Sequence, residues 1–447
     1  MDAVSAEVHD VVGIGFGPSN LSLAVALEEL GQGRTEQPIS AVFFERQETF
    51  GWHRNMLLPS TTMQISFLKD LATFRNPTSK YSFVSYLHSA GRLARFVNNQ
   101  DFFPTRREFH QYLEWVASNF RDQVNFAHEV VSVRPAAGAT GPMDHLEVEV
   151  RRLSDRSVRV VHTRNVVVST GLAARMPDRI ARGERVWHSS EFLTRFATAD
   201  QASLKSVAVV GAGQSAAEIT RFFHDSLPHA QVYAVIPSYG YALADDTPFA
   251  NQVFDPTAVD DYYFGTDTTR QAFWDYHKNT NYSVVDDDVI RDLYRRTYEE
   301  DVHGTSRLHF LNLTRVNGVE PAGARTRISL THGDIKELDV DACVFATGYH
   351  AMDPAGLLGD FDEQFLRDAR GAHQVARDYR LVAATPNTPG RVYLQGGTEH
   401  THGLTSSLLS NLAVRSGEIA DSILGFRLIE EELELPAAEP ETVGNLG

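Results

Sequence analysis

Cysteine is almost absent from this sequence, which contains a single one, Cys343, in 447 residues. One cysteine excludes an internal disulfide and any C-x-x-C redox pair, and with them the class of disulfide reductases. Cys343 lies in an apolar run at residues 341–349 that indicates a strand. We therefore expect a buried structural thiol.

Long apolar runs and net positive charge are also missing. No stretch approaches the roughly 18 uninterrupted apolar residues of a membrane-spanning helix, and residues 1–10 lack the basic and apolar regions of a signal peptide. Against 58 Asp and Glu there are 41 Lys and Arg, a formal net charge of −17. This balance disfavours nucleic acid or an anionic membrane as a partner. We expect a cytoplasmic protein without either.

The first motif is a glycine-rich turn at residues 11–20, VVGIGFGPSN, followed by a helix-like apolar stretch. Gly13 and Gly15 permit a tight turn and a close approach of backbone N–H groups to a pyrophosphate at the positive end of the helix. Pro18 replaces the third glycine of G-x-G-x-x-G, and a proline in the first helical turn loses no hydrogen bond. The strand predicted over residues 41–45 ends in Glu45, an acceptor for ribose hydroxyls.

A second glycine turn, GAGQSA at residues 211–216, follows the strand predicted over residues 207–210. Two such strand-to-helix turns on one chain imply two nucleotides bound side by side. The next strand, predicted over residues 231–236, ends in Pro237 and Ser238 rather than in an acid. An acid there would repel a 2′-phosphate, so its absence favours NADP over NAD.

The remaining chain indicates further sheet and one insert. With 42% hydrophobic residues, a chain of this length is expected to form two to four domains of about 100–200 residues each. Strands are predicted at residues 130–133, 146–150, 158–161, 165–171, 341–349 and 392–397. Residues 245–298 are rich in aromatic and amide side chains and have no continuing sheet, which is typical of a substrate lid. A helix is predicted over about residues 406–424, and the tail after Glu430 as disordered.

Several side chains have two possible interpretations. Aromatic, amide and hydroxyl groups alternate with Met and Leu over residues 50–71, which suits the lining of a flat, half-polar ring. Lys69 either extends its ammonium to solvent along apolar neighbours or binds an anion in a pocket. Asn251 and Asn281 either bond to their own backbone, as loop amides often do, or contact a ligand.

Taken together, these motifs resemble the flavin-dependent N-hydroxylating monooxygenases, in particular the bacterial L-ornithine N5-monooxygenases of hydroxamate siderophore pathways. The resemblance rests on both glycine turns, on residues 341–349 followed by Pro354, and on the blocks at residues 63–71, 247–251, 281–284 and 399–404. It implies an α/β fold with two Rossmann-like dinucleotide-binding domains, for FAD and NADPH, and a small, mainly helical substrate-binding insert.

The implied domains alternate along the chain. The FAD-binding domain comprises residues 1–172 and 343–428, and the NADPH-binding domain comprises residues 173–246 and 301–342. The substrate-binding insert comprises residues 247–300, and residues 429–447 form the disordered tail.

The implied reaction is N-hydroxylation of the side-chain amine of L-ornithine by FAD, NADPH and O₂ through a C4a-hydroperoxyflavin, giving N5-hydroxyornithine for a siderophore. The oxidising power belongs to the cofactor, which agrees with the lack of a nucleophile triad or acid–base pair in the sequence. The amine must be neutral to react, and burial against the flavin without a carboxylate partner favours the neutral form. Relatives are often tetramers, so a homo-oligomer is expected.

The resemblance also assigns residues. No catalytic residue is certain, although Gln64 and His53 are expected beside the flavin. Lys69 would hold the substrate carboxylate, Asn251 and Asn281 its α-amino and carboxylate groups, and Leu404 would lie near the flavin and the substrate amine. Cofactor contacts are expected in three groups: for FAD Gly13, Gly15, Gly17, Pro18, Glu45, Trp52, His53 and Gln64; for NADPH Gly211, Gly213, Gln214 and Ser215; and in the third Thr347 and Gly348.

The NADPH site has one departure from the family pattern. Pro237 stands where some relatives have an arginine, so no cation at this position supports a preference for NADPH over NADH.

Alternatives remain open inside the family and outside it. L-Lysine or a diamine such as putrescine could replace ornithine, although a diamine would leave Lys69 without a carboxylate to bind. Broad-range flavin monooxygenases have the pattern F-x-G-x-x-x-H-x-x-x-[YF]; here His188 and Phe192 fit, but Arg182 and Glu184 occupy the Phe and Gly places. A non-catalytic redox sensor would bind FAD without oxidising NADPH in response to an amine.

No metal is expected. His400 and His402 would lie on one face of an extended segment, and with His53 they could suggest a metal site. No third ligand at a suitable spacing is evident, and the flavin chemistry needs no metal.

Overall fold

A computed structural model describes residues 7–35, 38–331 and 333–434, which form a mixed α/β fold. In chain order, the strands of the described residues are β1 (Val8–Ile14), β2 (Ala41–Glu45), β3 (Val124–Phe126), β4 (His128–Pro135), β5 (Leu146–Arg152), β6 (Val158–Val168), β7 (Leu172–Ala174), β8 (Val186–His188), β9 (Ser206–Val210), β10 (Gln231–Val235), β11 (Ala242–Leu243), β12 (Val284–Val285), β13 (Leu308–Leu311), β14 (Val316–Ala322), β15 (Arg325–Leu330), β16 (Glu337–Val340), β17 (Ala342–Phe345), β18 (Tyr349–Ala351) and β19 (Arg391–Leu394).

Helices connect these strands and form the insert. In chain order they are α1 (Pro18–Gly31), α2 (Phe83–Ser89), α3 (Leu93–Asn98), α4 (Arg106–Ala117), α5 (Phe192–Thr198), α6 (Gln214–Ser226), α7 (Pro248–Asn251), α8 (Pro256–Tyr263), α9 (Asp267–Asn281), α10 (Asp287–His303), α11 (Ala355–Leu358), α12 (Glu399–His402) and α13 (Leu412–Glu434). Single turns of 3₁₀ helix, such as Gln252–Phe254 and Leu404–Ser407, lie between them.

The first sheet has the strand order β3-β2-β1-β6-β5-β4, with β19 also paired to β6. β3, β2, β1, β6 and β19 are parallel, whereas β5 and β4 continue the sheet in antiparallel fashion. β6 is one strand where the sequence predicted two, because residues 162–164 include no turn-forming residue. Its first half pairs with β5 and its buried second half runs between β1 and β19.

The second sheet is entirely parallel, in the order β13-β10-β9-β17-β8. All four residues of β17 are buried, as expected for a strand covered on both faces. The domain boundary predicted between residues 342 and 343 therefore cuts a strand of this sheet, and the chain leaves the sheet only after Phe345.

Helix α1 is buried on all sides. Every residue from Asn20 to Leu27 is buried, since α1 lies against the first sheet and is covered by α13. This explains why α1 has apolar residues on every side of the helix rather than on one face.

Residues 247–300, the predicted insert, are mainly helical and contain α7, α8, α9 and most of α10. The expectation that no sheet enters this segment was wrong in one detail, because β12 pairs with β11 over two residues each.

β14, β15 and β16 form a small antiparallel sheet, and β7 pairs with β18. Among the described residues, no helix combines the length and apolar character needed to cross a bilayer.

The C-terminal helix differs from the prediction. α13 begins at Leu412 rather than near residue 406, and it continues to Glu434, into the segment predicted as a disordered tail. Two 3₁₀ turns occupy residues 404–411 instead. The rest of the predicted tail, residues 435–447, lies outside the described residues.

Candidate active site

The first glycine turn lies at the carboxyl end of β1. Gly15 has a φ of +83°, and a Cβ there would stand 2.4 Å from the carbonyl oxygen of Ser169, so a side chain does not fit. α1 begins at Pro18, as predicted, and Asn20 Nδ2 donates to the Gly15 carbonyl at 2.7 Å. The first helical turn, whose N–H groups have no partners inside the helix, opens onto a cleft.

Glu45 lies beside this turn, at the carboxyl end of β2. Its Oε2 accepts the N–H of Phe16 at 2.7 Å and its Oε1 accepts the N–H of Gln47 at 2.8 Å. The carboxylate is therefore held by the backbone next to Gly15, and each oxygen keeps a lone pair for a further donor. The position fits the predicted contact with ribose hydroxyls.

The second glycine turn repeats this arrangement at the carboxyl end of β9. Gly211 has a φ of +148°, and a Cβ there would stand 2.5 Å from the carbonyl oxygen of Ala346. α6 then begins at Gln214, directly after Gly213. The close approach of the turn to the end of β17 requires glycine and directs the start of α6 toward the same cleft.

Both turns open onto one cleft of about 2990 Å³. Gly13 does not line it, because Gly13 lies inside β1, where a Cβ would meet the Phe43 ring at 2.2 Å. Lys69, Asn251 and Leu404 do not line it either. The predicted site residues that do are Gly15, Gly17, Pro18, Glu45, Trp52, His53, Gln64, Gly211, Gly213, Gln214, Ser215, Asn281, Thr347 and Gly348.

Trp52, His53 and Gln64, which were predicted beside the flavin, all line the cleft. The Trp52 and His53 rings have centroids 5.4 Å apart, and His53 has a left-handed backbone with a φ of +54°. The His53 ring is open to the cleft but surrounded at longer range by protein, and this burial, together with the charge of Arg106, lowers its pKa to about 4. With this lowered pKa, His53 is neutral at physiological pH. Gln64 Nε2 donates to Asp286 Oδ1 at 2.8 Å.

Thr347 and Gly348 form the turn after β17. The Thr347 hydroxyl donates to the carbonyl of Arg175, and the Gly348 carbonyl accepts from His188 Nε2 at 3.1 Å. These contacts fix the turn against β8, and they leave the Thr347 oxygen with acceptor capacity only.

The predicted substrate residues separate into two groups. Lys69 is half-buried, with its Nζ 5.7 Å from the centroid of the Phe254 ring, and burial lowers its pKa while Asp255 opposes the shift. The turn Gln252–Phe254, directly after Asn251, packs against the turn Leu404–Ser407. The structure thus brings Lys69, Asn251 and Leu404 to one side of the insert, whereas Asn281 lines the cleft at the end of α9.

Residues 7–351 match the family described as L-lysine 6-monooxygenase/L-ornithine 5-monooxygenase. The chain belongs to this family. It is 39% identical over 427 residues to the L-ornithine N(5)-monooxygenase of Pseudomonas aeruginosa, covering 94% of each chain. It is also 39% identical over 434 residues to that of Burkholderia cepacia, covering 94% and 96%.

A solved structure agrees with this assignment. The ornithine N-hydroxylase of Kutzneria sp. 744, in complex with reduced FAD, NADP⁺ and L-ornithine, is 55% identical, with a TM-score of 0.89 over 94% of this chain and 100% of that one. The resemblance drawn from the motifs is therefore confirmed. The relatives named here are monooxygenases or hydroxylases, and the present chain is a monooxygenase.

The motifs did not indicate Asp286, which connects two residues that line the cleft, Gln64 and Gln214. Its carboxylate accepts from Gln64 and, through Oδ2, from Gln214 Nε2 at 2.9 Å, and its N–H donates to Gln214 Oε1 at 2.9 Å. Gln214 Nε2 also donates to Glu218 Oε1 at 3.1 Å. Both N–H groups of the Gln214 amide are therefore used inside the protein, so its side chain could contact a cofactor only as an acceptor, through Oε1. The acidic run at residues 286–288 before α10 was the available signal.

Arg415 is a second residue that the motifs missed. It is fully buried on α13, and its guanidinium donates to the carbonyl of Ser406 and, at 3.3 Å, to the hydroxyl of Ser19. Burial lowers its pKa. It connects the first turn of α1 to the turn Leu404–Ser407, and a lone arginine within an apolar helical pattern gives no sequence signal for such a contact.

The histidines and the cysteine have structural contacts. His400 Nε2 bonds to the carbonyl of His373 at 2.8 Å, and His402 Nε2 to that of Arg377 at 3.2 Å. The part of the chain that the structure describes has no group of three His, Cys, Asp or Glu residues suited to a metal ion. Cys343 is fully buried in β17, where burial raises the pKa of its thiol, so it is a poor nucleophile.

Proposed function

We propose that this chain is an L-ornithine N5-monooxygenase that uses FAD, NADPH and O₂. The observation that carries the proposal is the shared cleft, onto which two separate glycine turns open from two parallel sheets. Two dinucleotides bound there would bring their reactive rings into one shared cleft. The 55% identical ornithine N-hydroxylase supports ornithine as the substrate.

The residues fit FAD at the first turn and NADPH at the second. At Gly15 and Gly211 a Cβ would collide with backbone carbonyls, so each turn requires glycine to pass this close to its neighbour, and the free N–H groups of the helix start that follows are suited to bind a pyrophosphate. Glu45 is suited to hold a ribose at the first turn, while no acid follows β10 at the second. We assign the first sheet to a Rossmann-like FAD-binding domain and the second to a Rossmann-like NADPH-binding domain that extends through Phe345.

The protein itself would position the substrate, exclude water from the site and set the protonation state of the substrate amine. Bound FAD, reduced by NADPH, would supply the chemistry that activates O₂. An aliphatic ammonium with a pKa of about 10.4 has no lone pair to react, so the site must favour the neutral amine. Burial of the amine against the flavin, without a carboxylate partner, would favour its neutral form.

The protein would recognise the substrate by its α-amino and carboxylate groups, at the end opposite the reacting amine. Lys69 would bind the carboxylate, with Asn251 and Asn281 at the α-amino and carboxylate groups and Leu404 beside the amine. The partial burial of Lys69 supports this role, since a desolvated ammonium binds a carboxylate more strongly than an exposed one. Asn251 Nδ2 already donates to the carbonyl of Asp246 at 2.6 Å, which leaves its oxygen as the acceptor for an α-ammonium.

The expected product is N5-hydroxyornithine for a hydroxamate siderophore. By resemblance we also propose a homotetramer, which a measured molecular mass in solution would test. A cytoplasmic location stays a prediction.

The decisive experiment compares L-ornithine, L-lysine and putrescine with the purified FAD-loaded enzyme. Hydroxylamine product and hydrogen peroxide are both measured per NADPH consumed. Hydroxylamine from ornithine, with mainly peroxide from the other two, would support the proposal. Hydroxylamine formed mainly from lysine or putrescine would identify that amine as the substrate instead. Lysine places its amine one methylene farther from a carboxylate held by Lys69, and putrescine has no carboxylate for Lys69 to bind. Equal NADPH consumption with every amine and no hydroxylamine would refute the activity.

A further inference from the structure

The loop after β10 has no group that recognises a phosphate by charge. In dinucleotide folds this loop carries the acid or the arginine that distinguishes NAD from NADP at the ribose 2′ position. Here Pro237 has no N–H, and the Ser238 hydroxyl donates to the carbonyl of Gly240 at 2.7 Å. The loop therefore neither repels a 2′-phosphate nor supplies a cation for it.

The neighbouring loop, after β13, supplies a cation at the same edge of the sheet. β13 is parallel to β10, with Leu311 in register with Val235, so both strands end at the same level. Two backbone hydrogen bonds tie the loops together: Leu313 N–H to Ser238 O and Thr314 N–H to Ile236 O, both 2.9 Å. The next residue, Arg315, lines the cleft together with Pro237.

The side chain of Arg315 is exposed, and within the described residues its guanidinium has no ion pair or hydrogen bond. Its backbone is held, because the carbonyl of Arg315 accepts the N–H of Thr331 at 3.0 Å. Arg270, which also lines the cleft, is by contrast engaged, because it donates to the carbonyls of Tyr262 and Tyr263 at 3.1 and 2.6 Å. Arg315 is thus a cation on a fixed backbone at the ribose end of the second site.

We propose that Arg315 binds the 2′-phosphate of NADPH and replaces the cation that Pro237 does not supply. The inference rests on the proposed use of NADPH at the second turn. A guanidinium presents two parallel N–H donors that match phosphate oxygens, and this pairing adds affinity only for the phosphorylated nucleotide. Arg315 thereby determines the preference for NADPH over NADH.

The test measures binding and does not depend on turnover. The FAD-loaded full-length enzyme and its Arg315→Gln variant are titrated by calorimetry with adenosine 2′,5′-bisphosphate, NADP⁺ and NAD⁺. We expect the Kd of the two phosphorylated ligands to rise about tenfold or more, as for loss of a charge-assisted hydrogen bond, and that of NAD⁺ to change less than about twofold. Arg121→Gln, at an exposed position away from the cleft, is the control for the change in net charge.

Two further variants keep the inference falsifiable. Arg315→Lys retains the positive charge without the two parallel N–H donors of the guanidinium, so its Kd for NADP⁺ should lie between those of the unmodified enzyme and Arg315→Gln. Arg315→Lys also serves as the test if Arg315→Gln fails to retain flavin. Pro237→Arg in the Arg315→Gln background should restore tight NADP⁺ binding. Equal weakening of NADP⁺ and NAD⁺, or no weakening of either, would overturn the role of Arg315.

The outcome is separable from that of the proposed function. If ornithine is not hydroxylated but Arg315 still discriminates the 2′-phosphate, the proposed substrate fails and the inference stands. If ornithine is hydroxylated with NADPH and Arg315→Gln leaves the discrimination unchanged, only the inference fails.

Discussion

Gln64 donates its side-chain amide to the carboxylate of Asp286 at 2.8 Å across 222 residues of sequence. A carboxylate can only accept, so the Nε2 atom of Gln64 must point to Asp286. The Oε1 atom of Gln64 is consequently the atom free to accept from a ligand in the cleft. Asp286 also holds Gln214 at the start of α6, so one carboxylate holds two side chains that line the cleft.

Asp286→Asn tests whether this orientation matters for the reaction. An asparagine can donate as well as accept, so the Gln64 amide would no longer be held in one orientation. We expect hydroxylamine formed per NADPH to fall about tenfold, in line with the cost of misplaced groups near a reacting centre. Flavin content and its absorption spectrum should be retained. Unchanged coupling would show that the orientation of Gln64 is irrelevant.

Lys69→Ala tests carboxylate recognition. We expect saturation by ornithine to disappear, with an apparent KM raised about 100-fold or more, because the substrate loses a charge-assisted contact in a partly desolvated site. Reduction of the flavin by NADPH, followed by stopped-flow absorbance, should survive. Lys80→Ala is the matched control, since Lys80 is exposed and pairs with Glu28. Loss of flavin binding in Lys69→Ala would refute the assigned role.

The buried ion pair between Arg106 and Glu218 predicts a large effect on stability. Two hydrogen bonds of 2.9 and 2.8 Å join the side chains, which are 8% and 2% exposed, and they connect α4 to α6. Glu218→Ala leaves a buried guanidinium without its carboxylate, so the free energy of unfolding should fall by about 3–5 kcal/mol in urea denaturation of the FAD-loaded enzyme.

The double variant Arg106→Met, Glu218→Leu separates the cost of an unpaired charge from the worth of the pair. We expect it to recover much of the lost stability, because replacing both partners removes the uncompensated charge. A double variant as unstable as Glu218→Ala would contradict this explanation.

His402 predicts a stability loss at acid pH. Its ring is fully buried against Tyr379, and burial lowers its pKa from 6.5 to about 3. Between these values the unfolded chain binds a proton that the folded chain does not, so stability falls as the pH drops from 6.5 toward 3. His402→Gln should reduce the slope of unfolding free energy against pH by up to about 1.4 kcal/mol per pH unit.

The measurement compares urea unfolding of both proteins from pH 4 to pH 8. At pH 8 the ring is neutral in both states, so the difference there reports only lost packing and is subtracted. Identical slopes below pH 6.5 would contradict a buried neutral ring.

Much of the architecture could be predicted because its signals are local. The turns at Gly15 and Gly211 each sit between a buried strand and a helix within about twenty consecutive residues, and both were found where predicted. Boundaries were less certain. β6 was predicted as two strands, and the start of α13 was placed too early, because the 3₁₀ turns before Leu412 have the same apolar composition as the helix.

The sequence by itself determined two nucleotide-type turns, a helical insert and the absence of cysteine chemistry, since each depends on residue types at short, fixed spacing. Only the tertiary structure decided that Gly13 packs on Phe43 instead of lining the cleft, that the Gln214 side chain is used by Asp286, and that Arg315 stands beside Pro237. Such contacts join residues far apart in the chain. Hydrogen bonds and charges act over a few ångströms, so their partners are set by how the sheets and helices pack, which no local pattern records.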